Sequence, residues 1–309
     1  MVETVASVKL PVDESLELKR NRLCGDENGK RLCIVTGIHG NELEGQYVCY
    51  ELARRIEADK KHLKGIVDLY PAVNPLGINS VSREIPISDL DMNRLFPGAS
   101  DGSMAEYLAA QVVDDILGAD LCLDLHSSNV FLREVPQVRI HPENEEALLP
   151  MAKLLNMDYI WISAATTVTE ASLVYSLNKG GIPALAVEMG TGLRISMEYG
   201  NQLVDGIFRL MKELGIWDGA VSPVRTPILS TEGRTASLRA SREGIFLPEA
   251  SHWKTIQKGQ PVGRIVSPLD GTEQEVVRAP FTGLIFTMRE YPVVTDGSLI
   301  ARIFGGVVR

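Results

Sequence analysis

The sequence predicts an α/β protein, a mainly parallel or mixed sheet flanked by helices, followed by a small all-β C-terminal domain. Two observations carry this prediction. Up to about residue 215, short apolar runs alternate with segments of helical period, the pattern of strand–helix–strand units on a largely parallel sheet. Beyond Gly215 the helical period vanishes and short β-rich pieces follow one another, split by Gly and Pro. Taken in order, residues 31–38 (RLCIVTGI) form an apolar run ending at Gly37 and read as a buried strand. From about Glu44 to Lys64, Val48, Leu52 and Ile56 recur at i+4 while Arg54, Arg55, Lys60 and Lys61 face water, which predicts a helix. Residues 66–73 (IVDLYPAV) predict a second strand ending at Asn74-Pro75. Ser103 with Glu106 forms a capping box that opens a helix through Leu108, Val112 and Ile116, closed by Gly118. Residues 120–126 and 183–188 read as further strands, and 143–155 and 197–214 as helices. A Pro/Gly-punctuated linker runs from Ile216 to Pro227, and the pieces ASLRAS, GIFLP, QPVGRIV, EVVRAPF, GLIFTM and SLIARIFG then predict a β domain of about 80 residues. The expected units are an α/β domain over 1–222 and an all-β domain over 223–309.

Composition narrows the function. The chain has 309 residues, 45% hydrophobic and 23% charged, as in ordinary globular proteins. Four Cys (24, 33, 49, 122) sit in apolar stretches with no C-x-x-C spacing, which argues against a zinc finger or a disulfide scaffold and for reduced thiols in a cytoplasm. The N-terminus has no signal-peptide pattern, and no run of about 18 apolar residues occurs. Net charge is −9, divided as 20 Lys and Arg against 32 Asp and Glu over 1–222, and 11 against 8 over 223–309. A body at −12 repels a phosphate backbone, so neither nucleic acid nor membrane is an expected partner.

With only five His (39, 62, 126, 141, 252), any imidazole metal site draws on a short list. His39 and Glu42 lie in G-I-H-G-N-E just after the first predicted strand, and His126 lies in L-D-L-H-S-S at the end of another. Ligands bind beyond the carboxyl ends of strands in open α/β sheets, and two imidazoles with one carboxylate are the ligand set of a catalytic zinc. The competing readings are a loop histidine without metal and a satisfied buried histidine; two strand-terminal His together favour the metal. Glu188 ends the apolar strand P-A-L-A-V-E at the same sheet edge, where it is either a general base or a carboxylate paired with an Arg. Arg83, Asn93 and Arg94 lie in the irregular stretch 77–102, a length typical of functional loops. These arginines could clamp a substrate carboxylate or polarise a carbonyl, or they could pair with Glu84, Asp89 or Asp91.

In sequence order, H-G-N-E, N-P-x-G, D-x-N-R-x-F-P-G, D-L-H-S and the strand-borne V-E resemble the succinylglutamate desuccinylase/aspartoacylase family, a branch of the zinc carboxypeptidase fold. The resemblance spans about residues 30–215, and the β-rich tail is similar to the C-terminal domain of bacterial members. It implies His39, Glu42 and His126 as ligands of one zinc ion (Zn2+) per chain, and Glu188 as base and proton shuttle. It implies Arg83, nine residues after Asn74, as the group polarising the carbonyl, and Asn93 and Arg94 as the grip on the substrate carboxylate. Tyr175, thirteen residues before Glu188, stands near the place of the family's active-site tyrosine. The tail also resembles a biotinyl/lipoyl barrel-sandwich without the modified Lys hairpin, T-M-R-E standing in its place, so a rim, lid or oligomer contact is expected of it.

The expectation is therefore a cytoplasmic zinc amidohydrolase that removes an N-acyl group from a small amino acid, with a possible homo-oligomer, dimers being the commonest default, and an oligomeric state that the sequence does not give. The −12 body favours an acyl diamino acid carrying a free amine, such as acetyl-diaminobutyrate, over a dianion such as succinylglutamate, unless arginines concentrate locally. The alternatives are a zinc carboxypeptidase acting on short peptides or cell-wall fragments, and a non-catalytic ligand-binding protein on the same fold.

Overall fold

A computed structural model describes residues 1–86, 88–164, 171–231 and 235–306. Its centre is four parallel strands, β3 (Arg31–Thr36), β4 (Ile66–Tyr70), β5 (Leu121–Ser127) and β8 (Ala184–Gly190), in the order β4-β3-β5-β8. Every residue of β4 and β5 is buried, as expected of strands covered on both faces. An antiparallel hairpin of β1 (Val2–Lys9) and β2 (Ser15–Cys24) adds to the β4 edge. On the other side β6 (Leu132–Ile140) pairs antiparallel with β8 and parallel with β7 (Tyr159–Ile162).

Period-2 alternation sorts the strand side chains onto two cores. Leu32 and Ile34, Leu121, Leu123 and Leu125, and Leu185, Val187 and Met189 point to one face. There they meet α1 (Glu44–Ala58), through Val48, Leu52 and Ile56, and α6 (Met197–Glu213), through Leu203, Ile207 and Leu210. Cys33, Val35, Cys122, Ala184 and Ala186 point to the other face, toward α3 (Met104–Ile116) and α5 (Leu173–Lys179). The same parity puts Asp124, His126 and Glu188 on the α3/α5 side. The expected capping box is present: Ser103 Oγ accepts from the Glu106 amide and Glu106 Oε2 accepts from the Ser103 amide, an arrangement contributing about 1 kcal/mol.

The predicted helix over 44–64 stops at Ala58, where Asp59 leaves helical geometry before a 3-10 turn at Lys60–His62. Several features went unread in the sequence, the short β7 and α5 among them. The N-terminal hairpin alternates polar and apolar residues too weakly to stand out. The strand β6 is disguised by Pro136 and four charged or amide side chains, and its ladder with β8 is bulged between Glu134 and Gln137. The loop after β4 contains a short helix, α2 (Pro75–Ser80).

The C-terminal region is all-β. A four-stranded sheet is built from β11 (Gly244–Pro248), β13 (Pro261–Val266), β14 (Glu273–Arg278) and β16 (Val293–Val294), in the order β14-β13-β11-β16. The remaining strands β9 (Ile228–Thr231), β10 (Thr235–Arg239), β12 (Thr255–Ile256), β15 (Gly283–Arg289) and β17 (Leu299–Phe304) belong to the large sheet. β9 pairs with β7, and β15 pairs antiparallel with β6. The proposed units 1–222 and 223–309 thus share one hydrogen-bonded sheet, and this continuity carries C-terminal side chains to the edge of the site.

Candidate active site and metal centre

Two loops and two strands build the site. Gly37, at φ +68°, turns the chain out of β3, and a Cβ on Gly40 would lie 1.9 Å from the Gly77 carbonyl carbon. The absence of that Cβ lets the H-G-N-E loop lie against the start of α2. There Asn74 Oδ1 accepts from the Gly77 amide at 2.9 Å, and Pro75 occupies the first turn, where its missing N–H costs nothing. The Asn74 Nδ2 donates to the carbonyl of Glu84, fixing the chain beside Arg83. The N-P-x-G motif is therefore a brace that holds both loops.

His39, Glu42 and His126 are buried, and one ligand atom from each lies within 4.8 Å of the others. The Nδ1 atoms of His39 and His126 are each 2.8 Å from Glu42. Each Nε2 faces an outer aspartate, Asp91 at 3.1 Å for His39 and Asp124 at 2.9 Å for His126. An imidazole that binds a metal through one nitrogen and donates its other N–H to a carboxylate is the usual metal-site pairing. His39 Nδ1 is buried with no hydrogen-bond partner among the described residues, despite its closeness to Glu42. The donor set and this orphaned atom fit a divalent ion.

The electrostatics agree. Glu42, Asp91 and Asp124 crowd two imidazoles in a desolvated pocket. Burial would push the Glu42 carboxyl up, but His39 and His126 hold it down at about 2. Burial would lower the His126 pKa, yet Asp124 and Glu42 raise it well above its ordinary value. A pocket with this anionic excess is satisfied by protons on both imidazoles or by a cation.

Glu188 stands opposite His126 in the β5–β8 register. Burial raises its pKa, partly offset by Arg139, whose Nη1 donates to Glu188 Oε1 at 3.0 Å. The two readings of Glu188, a base at the cavity and a partner of an arginine, are thus compatible. Arg83 donates to Glu42 at 3.0 Å and to Asp91 at 3.1 Å. Asn93 receives the Leu173 amide at 3.0 Å, tying its loop to the start of α5. Arg94 is exposed and makes no ion pair among the described residues.

A cavity of about 180 Å³ is lined by seven of the eight sequence-predicted residues: His39, Glu42, Arg83, Asn93, Arg94, His126 and Glu188. Tyr175 is the exception. Lys179 stacks over its ring at 5.8 Å, while its neighbours Ser172 and Val174 reach the cavity instead. The sequence reading named Asp91 as a possible arginine partner, which it is for Arg83, and missed Asp124, Glu134, Arg139 and Arg302. Asp124 had a signal, since D-L-H places Asp124 and His126 on one strand face. Arg302 had none, because it arrives from β17, far along the chain.

The sequence model of the succinylglutamate desuccinylase/aspartoacylase catalytic domain matches residues 28–214, more than half of the chain. The N-alpha-acetyl-L-2,4-diaminobutyric acid deacetylase of Halomonas elongata is 27% identical over 284 residues, covering 89% of this chain and 78% of that protein. The product-bound ectoine utilization protein EutE (DoeB) of Ruegeria pomeroyi has the same fold, with TM-score 0.84, 21% identity and coverage of 96% of this chain and 92% of the other. A succinylglutamate desuccinylase/aspartoacylase of Rhodobacter sphaeroides gives TM-score 0.83 at 22% identity, covering 98% and 95%. The ordered motifs, the mixed sheet and the His–Glu–His cluster lead to one conclusion: this chain belongs to the succinylglutamate desuccinylase/aspartoacylase family.

Proposed function

We propose that the protein is a zinc-dependent amidohydrolase that removes an N-acyl group from a small amino acid carrying one carboxylate, of the acetyl-diaminobutyrate type. His39, Glu42 and His126 would hold the ion through the two Nδ1 atoms and a carboxylate oxygen. A zinc ion so bound supplies Lewis-acid polarisation of a carbonyl and acidifies a water. Glu188, beside His126 in register, takes the proton of the attacking water and passes it to the leaving amine. Arg83, already directed at Glu42, donates to the oxyanion that develops on the scissile carbonyl. Arg94 and Asn93 take the substrate carboxylate.

The observation that carries the substrate class is how the arginines are engaged. Four line the cavity: Arg83, Arg94, Arg139 and Arg302. The local concentration that would favour a dianion is therefore present by count, but three of the four already face protein carboxylates: Arg83 on Glu42 and Asp91, Arg139 on Glu188 and Glu134, Arg302 on Glu134. Among the described residues only Arg94 of these four has no carboxylate partner and is left for a substrate carboxylate. A single carboxylate matches it, and the similarity to the diaminobutyric acid deacetylase supports the same choice. The small cavity, with Arg302 of the C-terminal region on its wall, supports a small substrate over a peptide. Four free thiols support a reducing, cytoplasmic setting, and among the described residues no helix is long and apolar enough to cross a membrane.

The test is a turnover screen of metal-loaded protein over acetyl-diaminobutyrate, acetyl-aspartate, succinylglutamate and dipeptides, with Glu188→Gln as control. Preference for acetyl-diaminobutyrate is expected, with turnover falling to a low but measurable residual rate in the variant. Preference for succinylglutamate would overturn the one-carboxylate argument, and cleavage of dipeptides alone would make the protein a carboxypeptidase.

A further inference from the structure

A row of charged side chains runs from the C-terminal region to Glu188. Across three neighbouring strands, Arg302 on β17 stands opposite Thr287 on β15, and Thr287 stands opposite Glu134 on β6. Glu134 is almost fully buried and its carboxylate is saturated. Its Oε1 accepts from Arg302 Nη1 at 2.9 Å and faces Arg139 Nη2 at 3.4 Å. Its Oε2 accepts from Thr287 Oγ1 at 3.0 Å and from Gln137 Nε2. Arg139, two residues past Gln137 and on the same face of β6, extends from this anchor and places Nη1 on Glu188. Both guanidinium groups lie over the Trp161 ring, at 5.6 Å for Arg139 and 5.5 Å for Arg302. The π face helps two like charges to share one carboxylate.

The two ends of this chain differ. Glu134 is fixed by three hydrogen bonds and the ion pair with Arg139, as a buried carboxylate must be. Glu188 receives one, on Oε1, and lines the cavity. A network serving stability alone would close on itself; this one ends on a carboxylate with Oε2 left free of hydrogen bonds among the described residues. We propose that Arg139 is the positioning residue of Glu188, holding Oε1 so that Oε2 faces the reacting water. Glu134, Thr287 and Arg302 set Arg139 in turn, so the C-terminal β region takes part in orienting the base. This inference rests on the deacylase reading of the same site.

The experiment measures kcat and KM of metal-loaded wild type, Arg139→Gln, Arg139→Lys, Arg302→Gln, Glu188→Gln and the Glu188→Gln/Arg139→Gln double variant. Metal content and thermal melting confirm that each is folded. A misplaced base costs kcat, so Arg139→Gln is expected to lower kcat by about 100-fold with KM within about twofold of wild type, Arg139→Lys to recover part of the loss, and Arg302→Gln to lower kcat by about 5-fold. In the Glu188→Gln background, Arg139→Gln is expected to cost nothing more, because its effect acts through Glu188. A raised KM at unchanged kcat would make these arginines substrate contacts and overturn the inference, as would an undiminished effect of Arg139→Gln in the double variant. If Arg139→Gln does not fold, Arg139→Lys and Arg302→Gln decide by the same split of kcat against KM. Turnover by wild type with unchanged variants overturns the positioning role alone. No turnover of any N-acyl amino acid by wild type overturns the deacylase reading, and this inference with it.

Discussion

The two ends of the cavity are built on opposite electrostatic plans. At the metal end, Glu42, Asp91 and Asp124 surround two imidazoles and Arg83, leaving an excess of negative charge that only protons or a cation relieve. At the base end, Arg302, Glu134, Arg139 and Glu188 alternate in sign and balance without any ligand. The contrast indicates which end waits for a partner and which is set beforehand. The proposed metal end carries negative charge that an ion would balance; the proposed base end is balanced by its own residues.

Substitutions at the two ends should therefore fail in different ways. The largest effect is expected at the metal end: His126→Ala should take bound zinc from about one ion per chain to none, by elemental analysis, and abolish turnover, since two ligands do not hold a catalytic zinc. An Asp68→Ala variant serves as a control remote from both ends. Asp68 is buried with Arg22 at 2.6 Å and Arg31 at 2.7 Å, and removing one partner of such a cluster costs about 3 kcal/mol. Denaturant unfolding should report that loss with zinc stoichiometry intact.

The same group predicts a pH dependence. Burial would raise the Asp68 carboxyl, but hydrogen bonds from Arg22 and Arg31 hold it below its ordinary value. Its contribution to stability is thus complete above the unfolded-state pKa of about 4 and is lost as pH falls through the lower folded value. Acid unfolding of Asp68→Asn should be less steep over that range than that of wild type.

A smaller effect is expected from Asp124→Asn, which keeps the shape of His126's outer partner and removes its charge. Zinc affinity should fall by about 10- to 100-fold in a competition titration, with kcat at saturating zinc less affected. The smallest belongs to the brace: Asn74→Ala removes a helix cap and should lower stability by about 1 kcal/mol in denaturant unfolding. An equal loss of zinc affinity in Arg139→Lys and Asp124→Asn would erase the distinction between the two ends.

The difference also explains what the sequence disclosed. The proposed metal end is written in short motifs because its residues sit in loops and strand ends next to one another: H-G-N-E carries two of the residues that could hold an ion, and D-L-H carries the third with its outer carboxylate. Glu188 was legible as the polar terminus of an apolar strand, and strand parity then placed it beside His126. The support behind Glu188 was not legible. Its residues come from β6, β15 and β17, joined by sheet register that no local pattern encodes, and β6 itself is masked by Pro136 and a bulge. The −12 charge of the first 222 residues likewise said little about the site, because pairing within the cavity, not the sum over the domain, decides which charge a substrate meets. Tyr175, carried over by spacing, lies on α5 with Lys179 over its ring, and its neighbours Ser172 and Val174 are the residues of that turn that line the cavity.

The central claim, a metal-dependent deacylase, is tested most directly by hydrolysis of acetyl-diaminobutyrate before chelation, after chelation, and after zinc is restored. The account predicts turnover that disappears with the metal and returns on stoichiometric addition of zinc. Turnover that persists at full rate in metal-free protein would contradict it.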